Sequence, residues 1–333
     1  MAESEENLRK LLKILEEYCE SNELVINTKK TKCMTFNKSG RLIVRDFYLN
    51  GVRLENVRSY KYLGFILTPS GEINTGLQDL RDRGFKAFMK IKRDFGPAFN
   101  HHIPTALKIF ESLIKPIILY CSDFWGCLNI PKVKKLENLY TYICKKSPVE
   151  KLFISICKQI LGVQKQTTNI GVLLEMGLVP LHHYAIKFCI KNWERIKNGN
   201  ANEFLLAMSQ DSPDTDLPWK TGVKYTLDSI GMNSFYINDY ADKPPFIFKR
   251  VFERLGDIFH QTSFERINSN ESKLRTYAIF KKGFEKYLVN VRNTCERKLI
   301  TKFRLSNHRL MIETGRHKGL PVEERVSILP NVD

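Results

Sequence analysis

Several patterns that commonly mark a function are missing from this 333-residue sequence. No Cys-x-x-Cys pair occurs among its eight cysteines, so the spacing typical of zinc sites and redox motifs is absent. Apolar runs such as PIILYC are far too short to span a bilayer, and we therefore expect no membrane segment. No two aspartates are adjacent, so the sequence lacks the neighbouring aspartate pair that can hold two divalent metal ions.

Acidic residues are scarce relative to basic ones. The chain has 53 Lys+Arg against 36 Asp+Glu, a formal net charge of +17, and residues 246–309 alone carry fifteen Lys/Arg and six Asp/Glu. An excess of this size favours a polyanionic partner, of which nucleic acid is the commonest. The alternative is a soluble basic protein whose lysines are simply solvated. Unpaired thiols and an acidic N-terminal segment unlike a signal peptide predict an intracellular protein, nuclear or cytoplasmic.

Hydrophobic periodicity predicts a mainly α chain with a small α+β N-terminal part. Residues 4–20 have a helical period, with Ser4 as the N-cap. Short strands are predicted in ELVIN, CMTFN, RLIV and FYLNGVRLE, and the last of these turns at Asn50-Gly51. YKYLGFILTPSGE is predicted to form one further strand. From about residue 75 the period is helical, with breaks predicted at Gly96-Pro97 and at Pro116.

Periodicity and composition divide the chain into five segments. Residues 208–245, which are rich in Pro, Asp, Ser and Gly, are predicted to be a linker or a long loop. In chain order, the segments are an α+β unit at 1–72, helices at 73–145, a helical connector at 146–207, the linker at 208–245 and basic helices at 246–325. In the basic helices, Phe246, Phe248 and Phe252 are predicted to form a buried stripe with cations outside it. Trp125 and Trp193 are predicted core residues.

Five short strings, in order along the chain, resemble one protein family. The first contains Leu24, Ile26, Asn27, Lys30-Thr31-Lys32, Met34 and Phe36. It is similar to the stretch after the catalytic Tyr-Ala-Asp-Asp hairpin of non-LTR (LINE-type) retrotransposon reverse transcriptases. YKYLGFILTPSG resembles the hairpin that grips the primer end in that family. LIKPIILYCSDFWG resembles a thumb helix, with Cys121 where glycine is common, and ICKQILGVQKQTTNIGVLLEMGLVPL and FRLSNHRLMIETGRH resemble downstream segments.

The resemblance implies a truncated polymerase palm at 1–72, a helical thumb at 73–145 and helical C-terminal modules. It also implies that the two catalytic aspartates would precede Met1 and that a zinc knuckle would follow Asp333. The chain is then expected to be a fragment of an RNA-directed DNA polymerase that binds RNA or DNA without polymerising. The missing palm and fingers are an expected partner. The intact enzyme would require Mg²⁺, whereas no cofactor is assigned to this chain.

Site residues follow from the resemblance and from the charge pattern. The resemblance places Lys30, Lys32, Tyr62, Leu63 and Gly64 near the nucleotide or the primer. The alternatives are a solvated lysine turn and a buried strand with Tyr62 and Phe65 as core aromatics. The basic C-terminal string predicts nucleic-acid contacts by a further set of residues: Lys302, Arg304, Asn307, His308, Arg309, Arg316 and His317.

No catalytic or metal-binding residue is assigned. NDYADKPPF contains Tyr240, Ala241 and Asp242, but Lys243 stands where the catalytic hairpin has its second aspartate. The pairs His101-His102 and His182-His183 are adjacent, so their rings diverge in regular structure. Two other functions remain open: a helical nucleic-acid-binding protein without catalysis, and a retroelement remnant with no retained role. For the fragment, we also expect an exposed apolar face on residues 4–20 and 24–36, which the family packs against segments outside this sequence.

Overall fold

In the computed structural model, the described residues are 2–96, 99, 101–128, 130, 146–199, 218–237, 246–269, 274, 277, 285–307 and 318–321. They are mainly helical with a few short strands, which confirms the predicted mainly α class. None of the helices described is long and apolar enough to cross a membrane. Contacts divide the chain into two compact units, Met1–Asp79 and Leu80–Asp333.

The first unit begins with helix α1, Glu5–Ser21. As predicted, Ser4 caps this helix, and its hydroxyl oxygen accepts a hydrogen bond from the Asn7 N–H at 3.1 Å. Short strands follow, in chain order β1 (Lys32–Cys33), β2 (Tyr48–Leu49), β3 (Val52–Arg53), β4 (Glu55–Asn56), β5 (Tyr60–Tyr62) and β6 (Phe65–Leu67).

The strands form three two-stranded pairs: β1 with β4 in parallel, and the antiparallel hairpins β2–β3 and β5–β6. The predicted turn at Asn50-Gly51 is confirmed, because both residues have the positive φ of a type I′ hairpin turn, 49° and 72°. The strands predicted in ELVIN and RLIV are wrong. Residues 24–27 and 41–44 are irregular, and no described strand pairs with either segment.

The first unit has a small core. One cluster of its buried residues consists of Cys33, Phe47, Leu49 and Leu54. Leu8, Leu12 and Ile26 pack against this cluster and are themselves only partly buried.

The second unit is helical, and the boundary between the units falls within α2. Its helices, with their bounds, are α2 (Asn74–Phe95), α3 (Ile103–Ile109), a π-helical turn (Phe110–Ile114), α4 (Lys115–Ile118), α5 (Ser122–Trp125), α6 (Pro148–Leu161), α7 (Asn169–Glu175), α8 (Leu181–Lys197), α9 (Pro218–Ser229), α10 (Ser234–Ile237), α11 (Ile247–Asn268), α12 (Tyr287–Asn290) and α13 (Thr294–Arg304).

The break predicted at Pro116 takes the form of a widened turn rather than a chain reversal. Pro116 lies in the first turn of α4, where its missing N–H would have had no partner in the helix. The preceding turn at Phe110–Ile114 adopts π-helical hydrogen bonding, so the chain continues in helical form through the proline.

The predicted linker at 208–245 is wrong for its described part, residues 218–237, which contains α9 and α10. Val223, Leu227 and Ile230 are buried in one cluster with residues of α8 and α11. The polar composition of the segment misled the prediction, because a single apolar stripe is enough to bury a helix.

Buried carboxylates from other helices cap the N-termini of two of the main helices. Glu150 of α6 accepts the N–H groups of Leu181 and His182, at 3.1 and 2.8 Å, at the start of α8. Glu194 of α8 accepts those of Ile247 and Phe248, at 3.1 and 3.3 Å, at the start of α11. Each carboxylate satisfies donors that the helix itself leaves unpaired. Trp125 and Trp193 are buried, as predicted.

Candidate nucleic-acid interface

The string that resembles the primer-gripping hairpin does form a hairpin, in place of the single strand that periodicity predicts. β5 and β6 pair antiparallel with Tyr62 opposite Phe65, and Leu63 and Gly64 make the turn with φ values of 44° and 84°. Such a two-residue turn needs a positive φ at both positions, and Gly64 adopts it without strain.

The two faces of this hairpin differ in burial. Phe65 is buried, and its ring lies so close to Gly76 that a Cβ there would approach within 2.3 Å. Tyr62 and Leu63 are 58% and 72% exposed, so the alternative in which Tyr62 is a core aromatic is wrong. The tip therefore combines an exposed aromatic side chain, an exposed leucine and a glycine that leaves room for a close backbone approach.

The two lysines predicted to lie near the nucleotide have different surroundings. Lys30 is exposed in a turn, and its backbone N–H donates to the Asn27 side-chain oxygen at 3.1 Å. Lys32 is half-buried in β1, and its Nζ lies 2.5 Å from Glu55 Oε2 on the paired strand β4. Lys32 is therefore neutralised by an ion pair, and Lys30 is the lysine of the two that is open to an anion.

Cys121 occupies a backbone position suited to glycine. Its φ is 55°, in the left-handed region that costs a non-glycine residue roughly 1–2 kcal/mol. This is the position at which the resemblance to the thumb helix has glycine. The left-handed residue ends the turn after α4 and precedes α5.

Three of the predicted C-terminal contact residues lie in the described part of the chain. Lys302 and Arg304 belong to α13, and Asn307 follows it. The Asn307 side-chain amide donates to the Thr167 hydroxyl at 2.5 Å. The remaining residues of that set lie outside the described residues: His308, Arg309, Arg316 and His317. Tyr240, Ala241 and Asp242 lie outside them as well.

Arg304 has a structural role that the sequence prediction missed. Its guanidinium lies 2.7 Å from the Glu175 carboxylate and 2.8 Å from that of Glu285. Both acids are largely buried, and the guanidinium also lies 5.5 Å from the ring centres of Tyr277 and Tyr287. Because two carboxylates already neutralise it, we withdraw Arg304 from the nucleic-acid contacts and assign it to the core of the second unit.

A second surface, which sequence reasoning missed, lies along α8. An open groove of about 920 Å³ runs between α8 and the segment from the π-helical turn to α5. We call it the α8 groove. Its lining residues are Glu111, Lys115, Pro116, Leu119, Tyr120, Cys121, Ser122, Asp123, Phe188, Lys191, Asn192, Glu194, Arg195, Asn198 and Phe248.

Cations and aromatic rings alternate beside the groove. Lys115 Nζ lies 3.4 Å from the centre of the Tyr184 ring, and Lys187 Nζ lies 4.6 Å from that of Phe252. Lys191 Nζ lies 5.6 Å from the centre of the Phe248 ring. Distances of this order allow cation–π attraction, so the rings hold the ammonium groups in place without neutralising them.

The acids of the groove are largely engaged. Glu194 caps α11, and Glu111 lies 3.4 Å from Lys115 Nζ. Burial lowers the pKa of Lys115, and the nearby positive charge of Lys187 lowers it further, whereas Glu111 raises it. Asp123 is left as the lining carboxylate that can oppose Lys191 and Arg195.

The aromatic stripe of α11 was predicted on the wrong face. The residues that α11 buries are Ile247, Val251, Leu255, Phe259, Ser263 and Ile267. Phe246 is exposed, and Phe248 and Phe252 are only half-buried. Ile247 and Val251, each next to one of these phenylalanines in the sequence, occupy the core, so the phenylalanines lie at the edge of the core. The signal that could have revealed the groove is the series Tyr184, Phe188, Lys191 and Arg195, spaced three or four residues apart on one face of α8, with Lys187 next to Phe188.

No group of three or more potential metal ligands is brought together among the described residues. His182 and His183 are buried in the second unit, where desolvation lowers their pKa values to about 4 and about 3. The chain matches no protein-family model, no curated protein and no solved structure.

Proposed function

We propose that this chain is a fragment of a LINE-type RNA-directed DNA polymerase that binds nucleic acid but does not polymerise. The β5–β6 hairpin carries the proposal. The string that resembles the family's primer-gripping hairpin has the turn, the exposed tip and the close-approach glycine that such a role requires. The left-handed Cys121, at the family's glycine position, supports the same relationship.

The proposed lack of polymerisation follows from the chemistry. Nucleotidyl transfer needs two divalent ions on carboxylates, which stabilise the attacking hydroxyl and the leaving pyrophosphate. The sequence contains no adjacent aspartate pair. Positioning a primer end does not supply that electrostatic stabilisation, which commonly contributes more to catalysis than any other effect. The aspartates that bind Mg²⁺, together with the rest of the palm and the fingers, would have to be supplied by a longer polypeptide or by a separate one.

Binding to a labelled primer–template with a recessed 3′ end tests the proposal. The double variant Tyr62→Ala/Leu63→Ala should weaken binding roughly fivefold to hundredfold, the effect of losing one base stacked on an aromatic ring. The matched control is Tyr48→Ala/Val52→Ala, which removes two exposed side chains from the other hairpin of the same unit. Equal losses in both variants would contradict a primer-end role for β5–β6.

A primer-extension assay tests the catalytic part. With Mg²⁺ or Mn²⁺, the purified chain should not extend the primer. Template-dependent extension that disappears in an Asp242→Asn variant would refute the proposal, because it would make Asp242 a catalytic ligand.

A second candidate function is helical nucleic-acid binding without any polymerase relationship. The alternating cations and rings beside the α8 groove favour it, since that surface belongs to the second unit and needs no palm. Loss of single-strand binding in a groove variant, with no effect of the hairpin variant on primer–template binding, would favour this function over the first.

A further inference from the structure

We infer that the α8 groove is a binding site for single-stranded nucleic acid, in which Phe188 stacks on a base and Lys191 and Arg195 hold phosphates. The inference rests on residues of the second unit alone. It therefore goes beyond the proposed polymerase relationship, and it stands or fails independently of the β5–β6 hairpin.

The spacing along α8 brings the three side chains together. Phe188, Lys191 and Arg195 follow one another at intervals of three and four residues, so they share one helix face, and all three line the groove. Phe188 is 40% exposed, although a phenylalanine gains free energy from burial. An exposed ring followed by two exposed cations on the same helix face can stack on a base while the cations contact the phosphates next to it.

The charges beside the groove favour an anion. Lys187, Lys191 and Arg195 form no ion pair with any described carboxylate, and both lysines lie over aromatic rings. Lys187 and Lys115 are near enough for the charge of one to disfavour that of the other. Among the lining acids, Glu194 and Glu111 are engaged by a helix start and by a lysine, which leaves Asp123 alone against this set. A bound phosphate chain would relieve the repulsion among the cations.

Two other polyanions fit less well. An acidic peptide would match the cations but would leave the Phe188 ring without a planar partner. A duplex keeps its bases stacked within the helix, so their faces are unavailable to a side chain. Single-stranded RNA or DNA offers both phosphates and free base faces, and it is the partner that uses every feature of the groove.

Fluorescence anisotropy with a labelled single-stranded RNA ten nucleotides long tests the inference on the full chain. Phe188→Ala should weaken binding roughly fivefold to hundredfold. The matched ring control is Phe36→Ala, which removes an exposed phenylalanine from the first unit.

Lys191→Ala/Arg195→Ala should make the salt dependence of log Kd shallower by about 1.4, the value for two phosphates of a single strand. Its charge-matched control is Lys151→Ala/Lys224→Ala, two exposed lysines elsewhere in the second unit.

Each outcome separates the alternatives. Equal effects in the test and control variants would overturn the inference and leave a non-specific basic surface. Competition by polyglutamate as strong as by unlabelled RNA, with no effect of Phe188→Ala, would overturn it in favour of an acidic protein partner.

A lysine-acetylation footprint on the wild-type chain checks the site without any variant. RNA should protect Lys191 and leave Lys151 reactive, and the reverse result would exclude the groove. Loss of single-strand binding in these variants, with the β5–β6 variant unaffected, keeps this result distinct from the test of the polymerase relationship.

Discussion

The two units of the chain obtain their stability in different ways. In the first, Met1–Asp79, the strands are two or three residues long and the buried cluster is small. In the second, Leu80–Asp333, helices of up to 22 residues enclose extensive clusters such as the one around α8, α9 and α11. Small clusters bury little apolar surface and contribute correspondingly little free energy of folding.

The difference extends to polar groups and to exposed apolar ones. The second unit places glutamates in its interior, where they cap helices or pair with Arg304. The first unit has its carboxylate contacts near the surface, as in Lys32–Glu55 and Arg53–Asp46. It also exposes large apolar side chains on α1 and after it, including Ile14, Tyr18 and Val25. The second unit thus buries paired charged groups in its interior, whereas the first exposes apolar side chains on α1 and in the segment directly after it.

The largest effect expected from this comparison is at Arg304. Arg304→Met should lower the free energy of unfolding by about 3–5 kcal/mol, because it leaves the buried carboxylates of Glu175 and Glu285 without their cation. Lys302→Met, two residues earlier on α13, should change it by less than about 0.5 kcal/mol. Urea unfolding followed by far-UV circular dichroism measures both. Similar small losses in both variants would show that the second unit does not depend on this ion pair.

A smaller effect is expected from protonation. All seven histidines lie outside residues 1–79, and His183 is buried among His182, His260 and Phe259. Its pKa is lowered from 6.5 to about 3 by burial first and by the two neighbouring histidines second. The unfolded chain therefore binds a proton below pH 6.5 that the folded chain rejects, so this group destabilises the fold as the pH falls toward 3.

His183→Leu removes that proton uptake. Between pH 7 and pH 5, the variant should gain about 2 kcal/mol of stability relative to the wild type, since each pKa unit corresponds to about 1.4 kcal/mol. Urea titrations of both proteins at the two pH values measure the difference. His101→Leu, at an exposed position, is the control for replacing a histidine with leucine. If the free energies of unfolding of the wild type and His183→Leu differed by the same amount at pH 7 and pH 5, His183 would be accessible to protons in the folded state.

The sequence predicted the helices far better than the strands. Helices such as α1 and α2 carry long apolar periods and local caps, and these are properties of neighbouring residues. The strands of ELVIN and RLIV failed because a strand exists only where another backbone pairs with it, and the sequence does not show where that backbone lies. The Asn50-Gly51 hairpin succeeded because its turn is specified by two adjacent residues.

The candidate site residues divide in the same way, into those predictable from neighbouring residues and those that depend on distant ones. Exposure of the hairpin tip at Tyr62 and Leu63 agrees with the interpretation by resemblance, whereas the engagement of Arg304 by Glu175 could not be predicted. These two residues lie 129 positions apart in the sequence, and the basic string around Arg304 suggested a solvent-exposed cation. The α8 groove was missed for a related reason. Three of its walls come from α4, α5 and α11, and only the series on α8 is visible within one helix.

The smallest effect on stability, and the sharpest contrast between the units, is expected on α1. Ile14 and Tyr18 are both 58% exposed, four residues apart on one helix face. Ile14→Lys/Tyr18→Lys should therefore change the free energy of unfolding by less than about 0.5 kcal/mol. The same variant should lower the fluorescence of a bound hydrophobic dye and raise the concentration at which the protein aggregates, because an uncovered apolar patch binds both dye and other chains.

Leu12→Ala is the control on the same helix. Leu12 packs on the core of the first unit, so this change should destabilise the unit while leaving Ile14 and Tyr18 exposed. A wild-type protein that is monomeric and binds no dye would contradict the contrast, since the α1 face would then be covered in solution.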